Sequence, residues 1–458
     1  MFSKRRATLL AAALSCTMAT PLAAQETGVT SDDLAALRAE LARLAARVDQ
    51  LEGELEQAEA KADAATSAAA AASESVVAVQ AKVDKAPSVK FKGAPVIEAE
   101  GGWSFKPRGR LMYDVGSTNA PDSTGREDGF GNETRRARLG VEGDIPGGFG
   151  YKFEVDFAGN EVEAADAYLS YSDGPVEFIV GHQNNFQSLE ELTSSLHTTF
   201  IERAAFTDAF GFERRIGASA TYKQGIVLAQ AGLFTDNFDD TATKNRGADG
   251  RLVIMPKMGN AQLHLGGSIH YNDIDDPAAT VRYRQRPLVH FTSERFINTG
   301  NLNASSELGY GLEAAAIAGP LHFASEGYWQ KVNRPGALSD PTFFGGYAEV
   351  GYYLTKGDTR GYKSGKFDRN KPANPVGKGG IGSVQFNLRY DYLDLTDAGI
   401  VGGTQNGYQA SLVWKPTDYT LFALNYGKMS YDDAVYAAAG GDRSYDVDAF
   451  GVRAQVDF

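Results

Sequence analysis

The sequence predicts an all-β transmembrane barrel of about sixteen antiparallel strands, preceded by an N-terminal α-helical coiled coil. Three observations support this prediction. Apolar and polar residues alternate from about residue 100 onwards, and apolar residues recur in heptads over residues 31–85. Glycine and aromatic residues are abundant, with 51 Gly, 25 Phe and 21 Tyr. Beyond the N-terminus no run of about 18 apolar residues could form a membrane-spanning helix, so any crossing would use strands.

The first 24 residues have the pattern of a secretory signal peptide. Three basic residues, Lys4, Arg5 and Arg6, precede a short apolar run, and "PLAAQ" offers a cleavage site after Ala24. The single cysteine, Cys16, lies in the segment that would be removed, so the mature chain is expected to have no disulfide. A lipidated Cys16 is the alternative, but "ALSC" is a poor context for that modification.

Residues 25–86 are expected to form a periplasmic coiled coil. From Leu34 to Val83, apolar residues occupy the a and d positions of about seven consecutive heptads without a break in register. The first half carries leucine and the second mainly alanine, so the second half should bury less apolar area. The helix would be about 75 Å long. Pro87 is expected to end it, and residues 87–99 to link it to a barrel domain at residues 100–458.

The barrel domain is predicted from strands with a two-residue period, such as "YKFEVDF" and "SVQFNLRYDYL". In a soluble sandwich the apolar face would be the core, whereas in a porin it meets lipid and the polar face lines the lumen. Short turns such as "IPGGFG" alternate with long polar stretches at 114–134 and 272–307, and the chain ends in Phe458. This asymmetry is typical of outer-membrane barrels. About 360 residues at roughly 22 per strand and connection give near sixteen strands, enough to enclose an aqueous channel.

Over most of residues 100–458 the sequence resembles the phosphate-selective porins of the O/P type. The resemblance is carried by "TRRARLGVEG" (134–143), "YKFEVDFAGN" (151–160), "LEELTSSLHTTFIERAAF" (189–206), "VRYRQRP" (281–287) and "GKFDRNKPANP" (365–375). It implies a homotrimer of sixteen-stranded barrels. It also implies a third loop that folds into each lumen as a constriction, an arginine ladder along the pore wall and a central anion site.

The resemblance also implies roles for individual residues. The paired arginines of the constriction correspond to Arg135 and Arg136, the loop serines to Ser194 and Ser195, and the loop arginine to Arg203. The arginine ladder corresponds to Arg282, Arg284 and Arg286.

One position departs from the family pattern. Where the family has its selectivity lysine, two residues before "TSS", this chain has Glu191. A negative charge there weakens the case for tight phosphate binding and leaves the porin fold unaffected. Glu190, Glu191 and Glu202 could partly cancel the arginines of the constriction, or could pair with them and fix the loop.

The stretch "VRYRQRP" has a physical interpretation of its own. On a strand its three arginines would point to one face about 6.6 Å apart, and each guanidinium can hold phosphate by two hydrogen bonds. Facing lipid they would cost about 2–4 kcal/mol each at the membrane midplane, so we expect them to face water. The alternative is an extracellular loop whose arginines contact lipopolysaccharide phosphates or solvent.

Enzymatic chemistry is not expected. Ser194, Ser195 and His197 lie close together, but a serine and a histidine without a third group are weak evidence for a hydrolase. His264 and His270 would be about 20 Å apart on one strand, too far to share a metal. We therefore expect no cofactor, no metal site and no nucleic-acid partner.

The sequence thus predicts an outer-membrane porin for passive diffusion of small anions, with phosphate or polyphosphate first. The expected surroundings are membrane lipid and lipopolysaccharide, with the cell wall as a further contact of the coiled coil. Two alternatives stay open. Because the formal net charge is −13, the porin could be general or select other solutes. The chain could instead be an envelope tether with an incidental pore.

Overall fold

The computed structural model describes residues 30–85, 87–126, 128–159, 161–237, 245–276 and 278–458. The predicted signal peptide, residues 1–24, lies outside the described residues. The chain divides into two compact units, with the boundary between Asp84 and Lys85. In the described ranges, none of the helices is both long and apolar enough to cross a bilayer.

The first unit is a single helix, α1 (Ser31–Lys85). Thr30 and Asp33 cap its start, because the Thr30 amide donates to Asp33 Oδ2 at 3.2 Å and the Asp33 amide donates to Thr30 Oγ1 at 3.4 Å. The leucines at the a and d positions stay uncovered along this helix, and Leu37 is 62% exposed. A continuous apolar seam on one chain needs further helices to cover it. One chain supplies only one helix, so the coiled coil, which needs several copies of the chain, stays a prediction.

The second unit contains sixteen antiparallel strands that form a closed barrel. They are β1 (Trp103–Asn119), β2 (Gly129–Ile145), β3 (Phe149–Asp156), β4 (Glu163–Asp173), β5 (Val176–Asn184), β6 (Arg214–Gln224), β7 (Val227–Phe234), β8 (Arg246–Ile254), β9 (Ala261–Asp273), β10 (Ser306–Ala318), β11 (Leu321–Asn333), β12 (Thr342–Tyr353), β13 (Ser383–Asp397), β14 (Ile400–Thr417), β15 (Thr420–Asp432) and β16 (Tyr445–Asp457). Each strand pairs with the next, and β16 pairs with β1 with Asp457 opposite Arg110. The sixteen strands therefore close into a ring, and the predicted barrel of about sixteen strands is confirmed.

The predicted linker at residues 87–99 is not an open chain. It contains a hairpin of Ser88–Lys92 and Ala94–Ala99, joined by Gly93 with a φ of 84°. The second hairpin strand continues the sheet onto β1, where Ile97 pairs with Phe105. The hairpin therefore belongs to the barrel unit.

Along the barrel strands the apolar side chains are exposed and the polar side chains are buried, which is the reverse of a soluble protein. On β13, Phe386 and Leu388 are 41% and 48% exposed, whereas their neighbours Asn387 and Arg389 are at most 3% exposed. An apolar outer wall and a polar inner wall are what a strand requires when lipid lies on one side and water on the other.

Three long connections pack against the inner wall. They are the β5–β6 segment (residues 185–213), the β9–β10 segment (274–305) and the β12–β13 segment (354–382). The β5–β6 segment contains the short helices α2 (Leu189–Leu192) and α3 (Ala205–Ala209). The β9–β10 segment contains two pairs of two-residue strands, Thr280–Val281 with Leu302–Asn303 and Arg284–Gln285 with Ile297–Asn298. The β12–β13 segment contains one pair of three-residue strands, Gly361–Lys363 with Lys366–Asp368. Phe206 and Phe210 of the β5–β6 segment pack on Tyr283 of the β9–β10 segment and Tyr328 of β11. This apolar cluster fills one side of the barrel and leaves the wall of β1–β4 to polar side chains.

Candidate functional site

The β5–β6 segment is held to the inner wall by side chains from strands around the barrel. Its backbone amides donate to acceptors on four different strands, at 2.7 to 3.1 Å. The bonded pairs are Phe186 with Asp249 of β8, Leu189 and Glu190 with Glu326 of β11, Ala205 with Asp391 of β13, and Ile201 with Asn425 of β15. Because these acceptors surround the barrel interior, the segment lies within the enclosed space.

A row of cations faces this segment from the opposite wall. On β1, Lys106, Arg108 and Arg110 occupy every second position and so share the inner face. Arg110 lies opposite Arg138 of β2, and Met112 lies opposite Arg136. The row therefore passes from β1 to β2 without leaving the inner wall.

A β-bulge brings Arg135 and Arg136 to the same side. Met112 pairs with Arg136 and Tyr113 pairs with Thr134, which leaves Arg135 as the extra residue. In a regular strand adjacent side chains point to opposite faces, so one of the two arginines would meet lipid. The bulge instead lets Arg135 Nε reach Glu202 Oε1 at 2.7 Å on the β5–β6 segment.

Most cations of this wall have carboxylate partners. The pairs are Arg110 with Glu154 at 3.2 Å, Arg138 with Asp156 at 2.7 Å, Lys152 with Asp166 at 2.5 Å, Arg214 with Asp166 at 2.7 Å and Arg453 with Asp114 at 2.6 Å. Arg108 pairs with Glu142 in the same way. The fixed charge of the wall is therefore largely compensated.

Arg136 is the exception. Within the described residues, no carboxylate oxygen lies within 4.0 Å of its guanidinium, whose Nη1 contacts Met112 Sδ at 3.8 Å. Only 7% of the residue is exposed. A buried charge without a partner is costly, so a mobile anion at this position would be strongly favoured.

Glu191 lies against Arg203 on the same segment. Arg203 Nη1 is 3.3 Å from Glu191 Oε2, and the guanidinium also donates to the carbonyls of Glu190 and Thr193 at 3.0 and 2.9 Å. Burial raises the pKa of the Glu191 carboxyl above its ordinary value, and the positive charge of Arg203 opposes that rise only in part. Arg203 therefore serves to fold the segment and to compensate Glu191.

Glu202 also pairs with wall arginines. It lies 2.7 Å from Arg135 and 3.3 Å from Arg453. Burial raises the pKa of Glu202, but the charge and hydrogen bonds of Arg135 outweigh it and hold that pKa well below its usual value. Glu202 is thus an ionised anchor that ties the segment to the cationic wall.

The two predicted loop serines occupy different positions. Ser195 Oγ accepts a hydrogen bond from Arg110 Nη1 at 3.1 Å, so it touches the cationic row. Ser194 Oγ instead accepts from the Leu196 amide at 3.4 Å and caps the short turn Ser195–His197. The hydrogen-bond partner of the Ser195 hydroxyl is thus the guanidinium of Arg110, rather than a base that could activate the serine as a nucleophile.

The expectation that Arg282, Arg284 and Arg286 share the wall of a barrel strand is wrong. They lie on the β9–β10 segment, where the two-residue strand Arg284–Gln285 is followed by Leu288 with a φ of 63°. Alternation holds locally, since Tyr283 and Gln285 are buried while Arg282 and Arg284 are exposed. The turn breaks the extended run and directs Arg286 towards Asp208, whose carboxylate lies 3.5 Å away.

Two cavities follow the cationic wall. One of about 170 Å³ is lined by residues that include Arg135, Glu191, Glu202, Arg203, Arg286 and His290. The other, of about 310 Å³, is lined by residues that include Lys92, Lys106, Arg108, Arg110, Glu154 and Arg369. In the strand register Arg136 lies between Arg135 of the first cavity and Arg110 of the second. The structure thus brings Arg286 into one cavity with Arg135, and leaves Arg282 and Arg284 outside both cavity linings.

Sequence reasoning missed Lys106, Arg108 and Arg110. The signal was present, because "FKPRGRLM" has the same two-residue spacing of cations as "VRYRQRP" and precedes a clear barrel strand. It also missed Arg389 of β13, which pairs with Glu190 at 2.8 Å and Glu349 at 2.9 Å. In the part of the chain that the structure describes, no group of three or more His, Cys, Asp or Glu could hold a metal ion.

Comparison with known proteins agrees with this architecture. A protein of Caulobacter vibrioides is 46% identical over 392 residues, which cover 82% of this chain and 79% of that protein. Porin O of Pseudomonas aeruginosa is 27% identical over 364 residues, which cover 69% of this chain and 78% of that porin.

Two solved structures share the fold. The anion-selective porin from Comamonas acidovorans has a TM-score of 0.51 at 15% identity, covering 78% of this chain and 100% of that porin. OmpT of Vibrio cholerae, in its trimer form, has a TM-score of 0.50 at 12% identity, covering 78% of this chain and 100% of that chain. The family model of phosphate-selective porin O and P matches residues 105–458. The chain therefore belongs to the phosphate-selective porin O and P family, and its barrel is that of an outer-membrane porin.

Proposed function

We propose that this outer-membrane porin conducts small anions, phosphate among them, by passive diffusion along the cationic wall. One observation carries the proposal. Arg136 is buried on β2, in register between Arg135, which lines one cavity, and Arg110, which lines the other, and among the described residues no carboxylate oxygen lies within 4.0 Å of it. An anion passing between the cavities supplies the missing partner, and its exit is eased because neighbouring arginines are already compensated.

The β5–β6 segment is the constriction in this proposal. It places Glu202, Arg203 and Ser195 opposite the wall, where Ser195 contacts Arg110 and Glu202 contacts Arg135. Anions would enter by Arg286, pass Arg135 and Arg136, and leave by Arg110, Arg108 and Lys106. Several weak sites in series suit conduction better than one tight site, because each ion must leave as readily as it enters.

Glu191 sets the selectivity in this proposal. Its carboxylate offsets Arg203, so the constriction holds fewer free cations than its arginine content suggests. We therefore propose moderate anion selectivity and weak phosphate binding. The names of two similar proteins, a porin O and an anion-selective porin, support the class of solute without fixing it.

We further propose a homotrimer in membrane lipid and lipopolysaccharide, with α1 as a periplasmic three-stranded coiled coil. The trimer form of the Vibrio cholerae structure supports the barrel assembly. The exposed leucines at the a and d positions of α1 support packing of this helix against the same helix of other copies. A cell-wall contact of the coiled coil is part of the same proposal.

The test is ion selectivity in planar bilayers. We expect Arg136→Gln to lower the chloride-to-potassium permeability ratio by at least about threefold, because the mobile anion loses its partner. Arg136→Lys should restore much of the ratio. Arg246→Gln changes an exposed arginine at the start of β8 and serves as the control. An unchanged reversal potential in Arg136→Gln would refute the assignment.

A further inference from the structure

We propose that a single small inorganic anion of the size of chloride binds in a cavity between the β5–β6 and β12–β13 segments. This site would be structural, and it is separate from the Arg136 path. It rests on the shape and charge of a cavity that the conduction argument does not use.

The cavity has a volume of about 20 Å³. Its lining includes Arg360, Asn370, Lys415, His197, Ser383 and Gln385. About 10–15 Å³ measured in this way is enough for one water molecule. The space therefore admits one monatomic ion or a water molecule, and it excludes a tetrahedral oxyanion such as phosphate.

Two buried cations line this cavity. Arg360 of the β12–β13 segment and Lys415 of β14 are each 8% exposed. Among the residues that the structure describes, no carboxylate oxygen lies within 4.0 Å of either side chain. Arg360 Nε has no hydrogen-bond partner, and the guanidinium lies over the Phe367 ring at 4.5 Å from its centroid. Lys415 Nζ donates to the Asn370 carbonyl at 2.9 Å, which leaves further N–H groups.

His197 reports the positive potential at the same place. Burial, and then the charges of Arg369 and Lys415, lower the pKa of His197 to about 2. Its Nδ1 is buried and has no hydrogen-bond partner. The charges of Arg369 and Lys415 add to the effect of burial in keeping the ring neutral, so both cations act on this cavity, and an anion there would offset them.

Asp368 is the one carboxylate in the described lining of the cavity. It lies 3.7 Å from His197 Nε2, and its side chain is 45% exposed, so solvent screens it. It is not within 4.0 Å of Arg360 or Lys415, which leaves both cations without direct compensation. A small anion between them therefore gains more from the two buried charges than it loses to Asp368.

Such an anion would add a link among three elements that meet at this cavity. Arg360 belongs to the β12–β13 segment and Lys415 to the barrel wall, while His197 belongs to the β5–β6 segment. Neutralising the two cations would add to the hydrogen bonds that hold the β12–β13 segment against the wall. The consequence is an anion-dependent stability of the whole barrel.

The experiment uses the full chain in detergent, with bromide as a chloride probe. Crystals grown with sodium bromide should show an anomalous peak in contact with Lys415 Nζ. Melting in sodium chloride should exceed melting in sodium gluconate of equal ionic strength by about 2–4 °C, because gluconate cannot enter the cavity. Lys415→Met should lose both the peak and the melting difference, and Arg360→Gln should do the same. Lys378→Met, an exposed lysine of the same segment, is the matched control and should keep both.

Three outcomes would overturn the site. The first is a cavity without a bromide peak, which would indicate water. The second is a bromide peak with equal melting in the two salts, which would indicate an adventitious ion only. The third is an unchanged peak in Lys415→Met. None of these depends on conductance, so failure of this proposal is distinguishable from failure of the proposed porin selectivity.

Discussion

At the scale of single residues, Glu191 is the position where the proposed selectivity is most open to test. The resemblance implies a positive charge at this position, and the glutamate found there is not isolated, because Arg203 lies 3.3 Å from it. The negative charge therefore acts mainly by occupying an arginine. Compensation of this kind lowers the number of free cations on the β5–β6 segment while keeping the segment folded.

Removing the Glu191 charge should free Arg203 for passing anions. We expect Glu191→Gln to raise the chloride-to-potassium permeability ratio by roughly twofold at pH 7. Glu191→Lys should go further and strengthen phosphate block of the chloride current. Glu161→Gln, an exposed residue outside the pore, is the control. If neither variant of Glu191 changed phosphate block, Glu191 would not belong to the filter.

The same carboxyl predicts a pH dependence. Burial raises the pKa of Glu191, so it takes up a proton at a higher pH than an exposed glutamate. Lowering the pH from 7 should therefore neutralise Glu191 and raise anion selectivity before exposed carboxylates titrate. Reversal potentials measured between pH 7 and about pH 4 would show this step in the wild type. The step should be absent from Glu191→Gln, and its persistence there would assign it to another group.

At the scale of elements, sequence patterns predicted the strands well and their connections poorly. The two-residue period of "SVQFNLRYDYL" is a local consequence of having lipid on one side, so it can be recognised without knowing any partner strand. The bulge at Arg135 depends on the pairing between β1 and β2, and the sequence of one strand does not reveal it. The two-residue period of "VRYRQRP" holds locally, but Leu288 directly after it turns the chain, and its position in a connection depends on tertiary packing.

The β5–β6 segment illustrates the same division. Its family resemblance marked Ser194, Ser195 and Arg203 as functional, yet only Ser195 contacts the cationic row. Arg203 is used to fold the segment, and Ser194 caps a turn. Motif positions indicate that residues matter, but hydrogen-bond partners decide how.

Phe206 should hold this segment in place. It is fully buried, lies 6.0 Å from Tyr328 and 6.4 Å from Tyr347 between ring centroids, and packs against the backbone at Gly345. Phe206→Ala should cost about 3–5 kcal/mol of local packing. Because the barrel strands stay paired, the expected result is a larger and noisier single-channel conductance with reduced selectivity. Phe130→Ala, at a residue 75% exposed, is the control. Unaltered conductance in Phe206→Ala would show that the segment does not restrict the pore.

At the scale of the whole molecule, the location of the charged side chains matters more than the net charge. The chain carries 45 Lys and Arg against 58 Asp and Glu, yet β1 and β2 gather Lys106, Arg108, Arg110, Arg135, Arg136 and Arg138 on one inner wall. Fixed charges farther apart than about 8 Å are screened at physiological ionic strength. An acidic protein can therefore present a cationic path, and its net charge does not decide its selectivity.

The heptad seam of α1 makes the assembly of the molecule testable by disulfide formation. The single cysteine of the chain, Cys16, lies within the predicted signal peptide, so an introduced thiol should be unique in the mature protein. Leu41 is at an a position and 60% exposed on one chain. In a parallel coiled coil, a-position residues of neighbouring helices come close enough for a disulfide.

Leu41→Cys should then give a dimer band on a non-reducing gel after mild oxidation of intact membranes. Ala39→Cys, on the opposite face of the same turn, should stay monomeric. Equal cross-linking of the two variants would indicate random collision, and no cross-linking of Leu41→Cys would show that the leucine seam is covered by something other than a second copy of α1.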